Sequence, residues 1–168
     1  PLVQEYTGSE LAYTASILNV DGLYYWRVRA RNATGGYGPW SAVRSFTLDT
    51  TPPNAPALSS PADNAIVRAN PTFRWAASTG ATKYRLQYSI DVGFPEDAEK
   101  TKTHELATTY FTPSPALTHN SYYWHVQARD TAGNWSDWNT PPCKVEVRVP
   151  IPLAPVLISP GNGSVQVT

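Results

Sequence analysis

Polar and apolar residues alternate in short runs along this chain, and the runs predict strands. Phe73 and Trp75 alternate with Thr72 and Arg74; Tyr84, Leu86 and Tyr88 alternate with Arg85 and Gln87. Further on, Tyr122, Trp124, Val126 and Ala128 share one parity, and Tyr123, His125, Gln127 and Arg129 share the other. Val145, Val147 and Val149 alternate with Glu146 and Arg148. A period of two marks a strand with one buried face. Weaker strands fit near Leu58, near Ile66 and over Tyr110 to Thr112. Turn residues stand between them at Asp63-Asn64, Thr79-Gly80, His119-Asn120 and Ala132-Gly133-Asn134. About seven short strands in about 97 residues predict an all-β sandwich.

The pattern repeats. Leu23-Tyr24-Tyr25-Trp26-Arg27-Val28-Arg29-Ala30-Arg31-Asn32 returns as Ser121-Tyr122-Tyr123-Trp124-His125-Val126-Gln127-Ala128-Arg129-Asp130, 98 positions on. Ala55-Pro56 to Pro61 returns as Ala154-Pro155 to Pro160, shifted by 99. A unit of this length is a whole domain rather than a solenoid repeat. The Pro clusters Thr51-Pro52-Pro53 and Pro150-Ile151-Pro152 precede each Ala-Pro start and favour extended, semi-rigid connections. The register divides the chain into the back half of one unit over 1–48, a linker over 49–53, a complete unit over 54–149, and a linker with the first strands of another over 150–168. With no Met among 168 residues, the chain reads as an interior section of a longer array.

These residues resemble the fibronectin type III domain, in the tandem form common in bacterial surface proteins. Trp75 falls on the family's early-strand Trp, and Tyr84, Leu86 and Tyr88 on its aromatic-x-aliphatic-x-aromatic strand. Its Tyr-x-aliphatic-x-Val-x-Ala strand falls on Tyr122, Trp124, Val126 and Ala128, and again on Tyr24, Trp26, Val28 and Ala30. The resemblance implies tandem seven-stranded sandwiches joined by Pro-rich linkers. It also implies a tyrosine corner at Tyr24 and Tyr122, each phenol bonded to backbone. The usual Leu six residues upstream is Leu18 in the first unit; the second has Ala116 there and Leu117 one place late.

Composition narrows the function. Thirteen Lys and Arg balance 13 Asp and Glu, which excludes charge-driven binding to nucleic acid. No apolar run approaches the length of a membrane span. One cysteine, Cys143, forms no intrachain disulfide.

Six Trp invite a carbohydrate-stacking surface, but Trp26, Trp75 and Trp124 share their parity with Val, Leu or Ala and are expected in the core, with Tyr24, Tyr84 and Tyr122. Trp40, Trp135 and Trp138, with Tyr37, lie between the last two strands. Trp135-Ser136-Asp137-Trp138-Asn139 looks like the Trp-Ser-x-Trp-Ser box of cytokine-receptor domains, without its last Ser. In that box Arg side chains stack on Trp faces, which makes Arg27, Arg29 and Arg31 with Tyr37 and Trp40, and Arg129 with Trp135 and Trp138, a candidate cation–π or binding surface.

Asp91, Glu96, Asp97, Glu99, Lys100, Lys102 and Glu105, with His104 among them, read as a solvated loop. His104, His119, His125 and Cys143 lack metal-ligand spacing, and no catalytic or cofactor motif appears. Asn32, Asn134 and Asn162 head Asn-x-Ser/Thr sequons in turns and are candidate glycosylation sites. The sequence thus points to a non-catalytic structural or interaction protein, outside the cell or on its surface: a stalk, an adhesin shaft, or a fibre or sheath subunit. Its partners would be neighbouring repeats or other copies in a filament. The alternative is a module that binds glycans or surface proteins through exposed Trp and Tyr.

Overall fold

The computed structural model describes residues 5–15, 18–150, 154 and 156, and the described residues contain strands and no helix. The sequon at Asn162 and, apart from Ala154 and Val156, the repeated Ala-Pro segment lie outside the described residues.

Strands β1 (Gly22–Trp26) and β2 (Arg44–Leu48) form an antiparallel pair in which Tyr24 faces Phe46. Eight more strands build a sandwich: β3 (Leu58–Ser60), β4 (Ala65–Val67), β5 (Phe73–Trp75), β6 (Lys83–Ser89), β7 (Thr101–Leu106), β8 (Tyr110–Phe111), β9 (Asn120–Arg129) and β10 (Cys143–Val147). One sheet runs β4-β10-β9-β6-β7, and the other runs β3-β5-β8. Every pairing is antiparallel except that of β4 with β10.

The core lies between the two sheets and is set by alternation. Phe73 and Trp75 come from one side; Tyr84, Leu86, Tyr88, Trp124, Val126, Val145 and Val147 come from the other. Phe73 packs its ring 5.1 Å from Trp124, and Trp75 meets Tyr84 edge-on at 5.8 Å. Each such side chain contributes about 1.5–3 kcal/mol by leaving water.

Four expectations from the sequence change here. Residues 101–106 are strand and not loop: Leu106, His104 and Lys102 line up with the inward Tyr84, Leu86 and Tyr88, while Glu105 and Thr103 face Arg85 and Gln87. The charges that suggest a loop are those that protect a sheet edge, because Lys and Glu on an outermost strand discourage pairing with another chain.

Trp26 is 46% exposed and Tyr24 only half-buried, because among the described residues no second sheet faces β1 and β2. Neither is a core residue here.

The Tyr24 phenol does donate to a backbone carbonyl, that of Val20, at 2.7 Å. Tyr122 meets the Thr118 hydroxyl at 3.1 Å instead. The offset is four residues in both cases, but in the second a side-chain oxygen takes the bond. Leu117 is buried where Ala116 is exposed, so the late Leu fills the place of Leu18.

Finally, β10 ends at Val147, and Val149 is exposed.

Leu86 is completely buried and Ile66 largely exposed. Leu86→Ala should therefore cost about 3 kcal/mol in urea unfolding, and Ile66→Ala less than about 0.5 kcal/mol. Equal costs would contradict this core.

Candidate functional site

The candidate surface is built on two stretches that follow the Tyr-rich strands and hydrogen-bond back to them. After β9, Arg129 bridges to Trp135, Ser136 donates its amide to the Ala128 carbonyl, and the Ser136 hydroxyl accepts the Ala128 amide at 2.9 Å. The Asn139 amide oxygen accepts from Val126 at 3.0 Å. In the earlier copy Arg31 bridges to Tyr37, and the Ser41 hydroxyl accepts from Val28, also at 3.0 Å. Ser41 and Asn139 occupy one register position. The box that ends in Asn keeps the bond its missing Ser would make.

Both stretches turn through a glycine whose positive φ a larger residue would adopt only with strain. Gly35 and Gly133 have φ of 92° and 105°. A Cβ at either would stand 3.2 or 3.0 Å from the Nη2 of Arg31 or Arg129, whose Nε donates to the glycine's own carbonyl.

In the first copy the side chains form an alternating column. The Arg27 and Arg29 guanidiniums lie 4.3 Å from Trp40, and those of Arg29 and Arg31 lie 3.8 and 5.3 Å from Tyr37. Each ring is thus held between two cations, while Tyr37 and Trp40 keep 47% and 40% of their surface exposed.

In the second copy neutral residues replace two of the three arginines, and the column changes its chemistry. His125 lies flat between Trp138 at 4.0 Å and Phe94 at 3.8 Å. Its Nε2 is 2.9 Å from the Gln87 amide oxygen, and Gln87 passes a hydrogen bond on to Thr103. Trp135 sits 4.2 Å from Arg85 and 5.6 Å from Arg129, with Arg85 held by Glu105 at 2.5 Å. This bond from Arg85 keeps the Glu105 carboxyl below the usual carboxylate range. The sequence reading missed Arg85 and Phe94. Arg85 is the outward position of β6 beside β9, which alternation alone contains; Phe94 lies in a loop at φ 46°, with no periodic signal.

His125 and Gln127, on the outward parity, are therefore buried. The cover of His125 is Trp138 on one face and Phe94 on the other.

Asn134 is engaged as well: its amide nitrogen donates to Asp130 at 2.9 Å and to the Asp49 carbonyl at 3.0 Å. Asn32 holds its turn by accepting from Gly36 and Thr34. Among the described residues no three His, Cys, Asp or Glu side chains come together as a metal site, and no helix is long and apolar enough to cross a membrane.

No family profile matches the chain. Exoglucanase B of Cellulomonas fimi is 29% identical over 135 residues, 77% of this chain; the chain spans only 12% of that protein's length. Among solved structures, the first to third fibronectin domains of chicken CNTN1 superpose with a TM-score of 0.51 at 15% identity, covering 81% of this chain and 46% of theirs. An Fn3-like protein from Clostridium thermocellum gives 0.40 at 17% identity, covering 62% of this chain and 98% of its own. The fold is fibronectin type III-like. An all-β sandwich with no helix among its described residues is what the strand alternation predicts.

Burial pushes the His125 imidazole down to about 4, against an unfolded value near 6.5. The unfolded chain then takes up a proton more readily than the folded one, so stability falls as pH drops below about 6.5 and levels off below about 4. In an NMR titration the His125 ring should change protonation near pH 4; a midpoint near 6.5 would show that the sandwich of rings does not form.

Proposed function

We propose that this chain is a non-catalytic spacer in an exported protein. Fibronectin type III-like modules follow one another over 1–48, 54–149 and from 150 onward, and the linker over 49–53 holds the first two at a set angle. The observation that carries the reading is the fastening of the 49–56 segment on both sides. Towards the first module, the Asp21 carboxylate accepts from the Thr50 amide at 2.8 Å, the Thr50 hydroxyl at 2.7 Å and the Thr51 hydroxyl at 2.5 Å. Towards the second, Asn134 donates to the Asp49 carbonyl and Asn139 to that of Pro56, the latter at 2.7 Å. Pro52, Pro53 and Pro56 fix their own φ angles, so few torsions remain free. The same Asn139 that closes the outer layer also holds the start of the second module just after the linker.

The partial likeness to an exoglucanase supports a place for such modules beside a carbohydrate-active domain. The partners in this reading are the neighbouring modules, with lateral contacts between copies if the array forms filaments or adhesive stalks. Carbohydrate stacking on Tyr37, Trp40, Trp135 and Trp138 is the weaker reading, because cations or an imidazole already occupy the ring faces that a sugar would need.

Spin labels at Ser45 and Thr103, with Cys143→Ser, measure the joint by pulsed electron resonance. A narrow distance distribution is expected. It should broaden in Asp21→Ala and in Asn134→Ala with Asn139→Ala. Hydrogen bonds from Thr51 and Thr50 hold the Asp21 carboxyl below its ordinary value, so its share of the fastening lasts into acid and is lost only as pH falls through that lowered value. A distribution already broad in the unsubstituted protein would overturn the fixed joint.

A further inference from the structure

Two of the three histidines lie flat between aromatic faces, and both stacks hold the same piece of chain. Residues 91–106 comprise the loop that leaves β6 and the edge strand β7, which pairs with β6 alone. The loop reaches over the outer face of the sheet, where Phe94 lies 3.8 Å from His125 on β9. The strand turns His104 the other way, to the edge of the core, 5.7 Å from Tyr88 and 4.2 Å from Phe111. The segment is thus pinned on both faces of the sheet, each time through an imidazole.

Both pins suit a neutral ring. The Nε2 of His104 is buried without a hydrogen-bond partner. A neutral imidazole can carry its proton on the other nitrogen and leave Nε2 a bare acceptor, whereas a charged one must place an N–H there with nothing to receive it. His125 has one partner, the Gln87 amide oxygen, whose orientation is fixed by the bond from the Gln87 nitrogen to Thr103. That oxygen takes one ring proton, and among the described residues the second proton of a charged ring has no acceptor.

No charge compensates either ring. Around them stand Tyr88 and Gln87 on β6, Phe111 on β8 and Trp138 in the outer stretch, all neutral. The charges on the surrounding elements are engaged elsewhere: Arg85 with Glu105, Lys100 with Asp97, Lys102 with the Ala98 carbonyl, and Arg74 and Arg129 with the Tyr110 and Trp135 rings. On β10, Cys143 and Lys144 lie opposite Trp124 and Tyr123, short of His125, and Asp91, Glu96, Glu99 and Asp137 are exposed. Burial alone holds both imidazoles below their ordinary value.

We propose that residues 91–106 are an acid-released flap: protonation of His104 and His125 breaks both stacks, and the loop and β7 come away from a sandwich that otherwise stays folded. An imidazolium gains some attraction from a ring face, but here it would give up water on both faces and go without a hydrogen bond. Opening returns His104 and one face of His125 to water. The open form therefore takes up protons near pH 6.5, and the closed form only at lower pH. Acid favours opening by up to about tenfold per pH unit for each histidine.

Native-state hydrogen exchange read by NMR, as protection factors at about pH 7.5 and about pH 5, tests this. The amides of 101–106 that bond to β6 should be less protected than those of Val145 and Val147 at both pH values, because they open without global unfolding. Their protection should fall between the two by about 30-fold for each histidine released. His104→Phe with His125→Phe keeps both stacks, removes the titrating groups and should abolish most of that fall; a thermal melt establishes that this variant is folded. If it is not, Phe94→Ala takes its place. That change uncovers His125 in advance, so it should lower protection at the higher pH and leave a smaller fall. The proposal is overturned if 101–106 exchange only together with Val145 and Val147, if their protection is the same at both pH values, or if the fall is undiminished in the folded variant.

Discussion

A strand in the middle of a sandwich sheet ordinarily buries one face and leaves the other to solvent, and β9 departs from this by covering both, with two kinds of material. Its inward side chains, Tyr122, Trp124, Val126 and Ala128, take the ordinary hydrophobic cover of the facing sheet. Its outward ones, His125 and Gln127, are polar and yet buried. They are covered by a stretch with too few backbone pairings to count as a strand, which is attached through Ser136 and Asn139 side chains to the amides of Ala128 and Val126. Those two amides have no neighbour strand at this point, and an unpartnered buried amide is costly. Attaching the stretch satisfies the amides, and its two Trp rings then reach the outward side chains. The left-handed Phe94 completes the cover from the opposite side by stacking on His125.

The two copies of this arrangement show which parts are fixed and which are free. The glycine turn at Gly35 and Gly133, the arginine at Arg31 and Arg129, and the polar anchor at Ser41 and Asn139 recur with the same bonds. The middle of the column does not recur. Arg27 and Arg29 hold Trp40 by charge, whereas His125 holds Trp138 as a neutral ring, kept so by burial. One backbone frame thus presents a cationic surface in one copy and a neutral one in the other.

Strand alternation made the inward face legible before any coordinates, because Tyr84, Leu86, Tyr88, Trp124 and Val126 are placed by parity alone. It misplaced residues 101–106, since edge protection and loop solvation use the same charged residues. It also put Trp26 in a core, although what buries a residue is the sheet opposite, and parity carries no information on whether one is there. The ladder residues were legible as types in a spacing, but their pairing was not. Arg85 joins Trp135 through the register of β6 on β9, which is a long-range property, and Phe94 joins His125 through a loop conformation that no periodicity encodes. The joint is not legible in the sequence for a similar reason: Asp21 and Thr51 are 30 residues apart, and Asn134 and Asp49 are 85 apart.

The outer aromatic layer of the second copy is part of the folded structure and not a free surface waiting for a ligand. Equilibrium unfolding of Trp138→Ala decides between the two: a loss of about 2 kcal/mol or more, approaching that of a truncated core aromatic, is expected. A change within about 0.5 kcal/mol, as at an ordinary surface position, would contradict it.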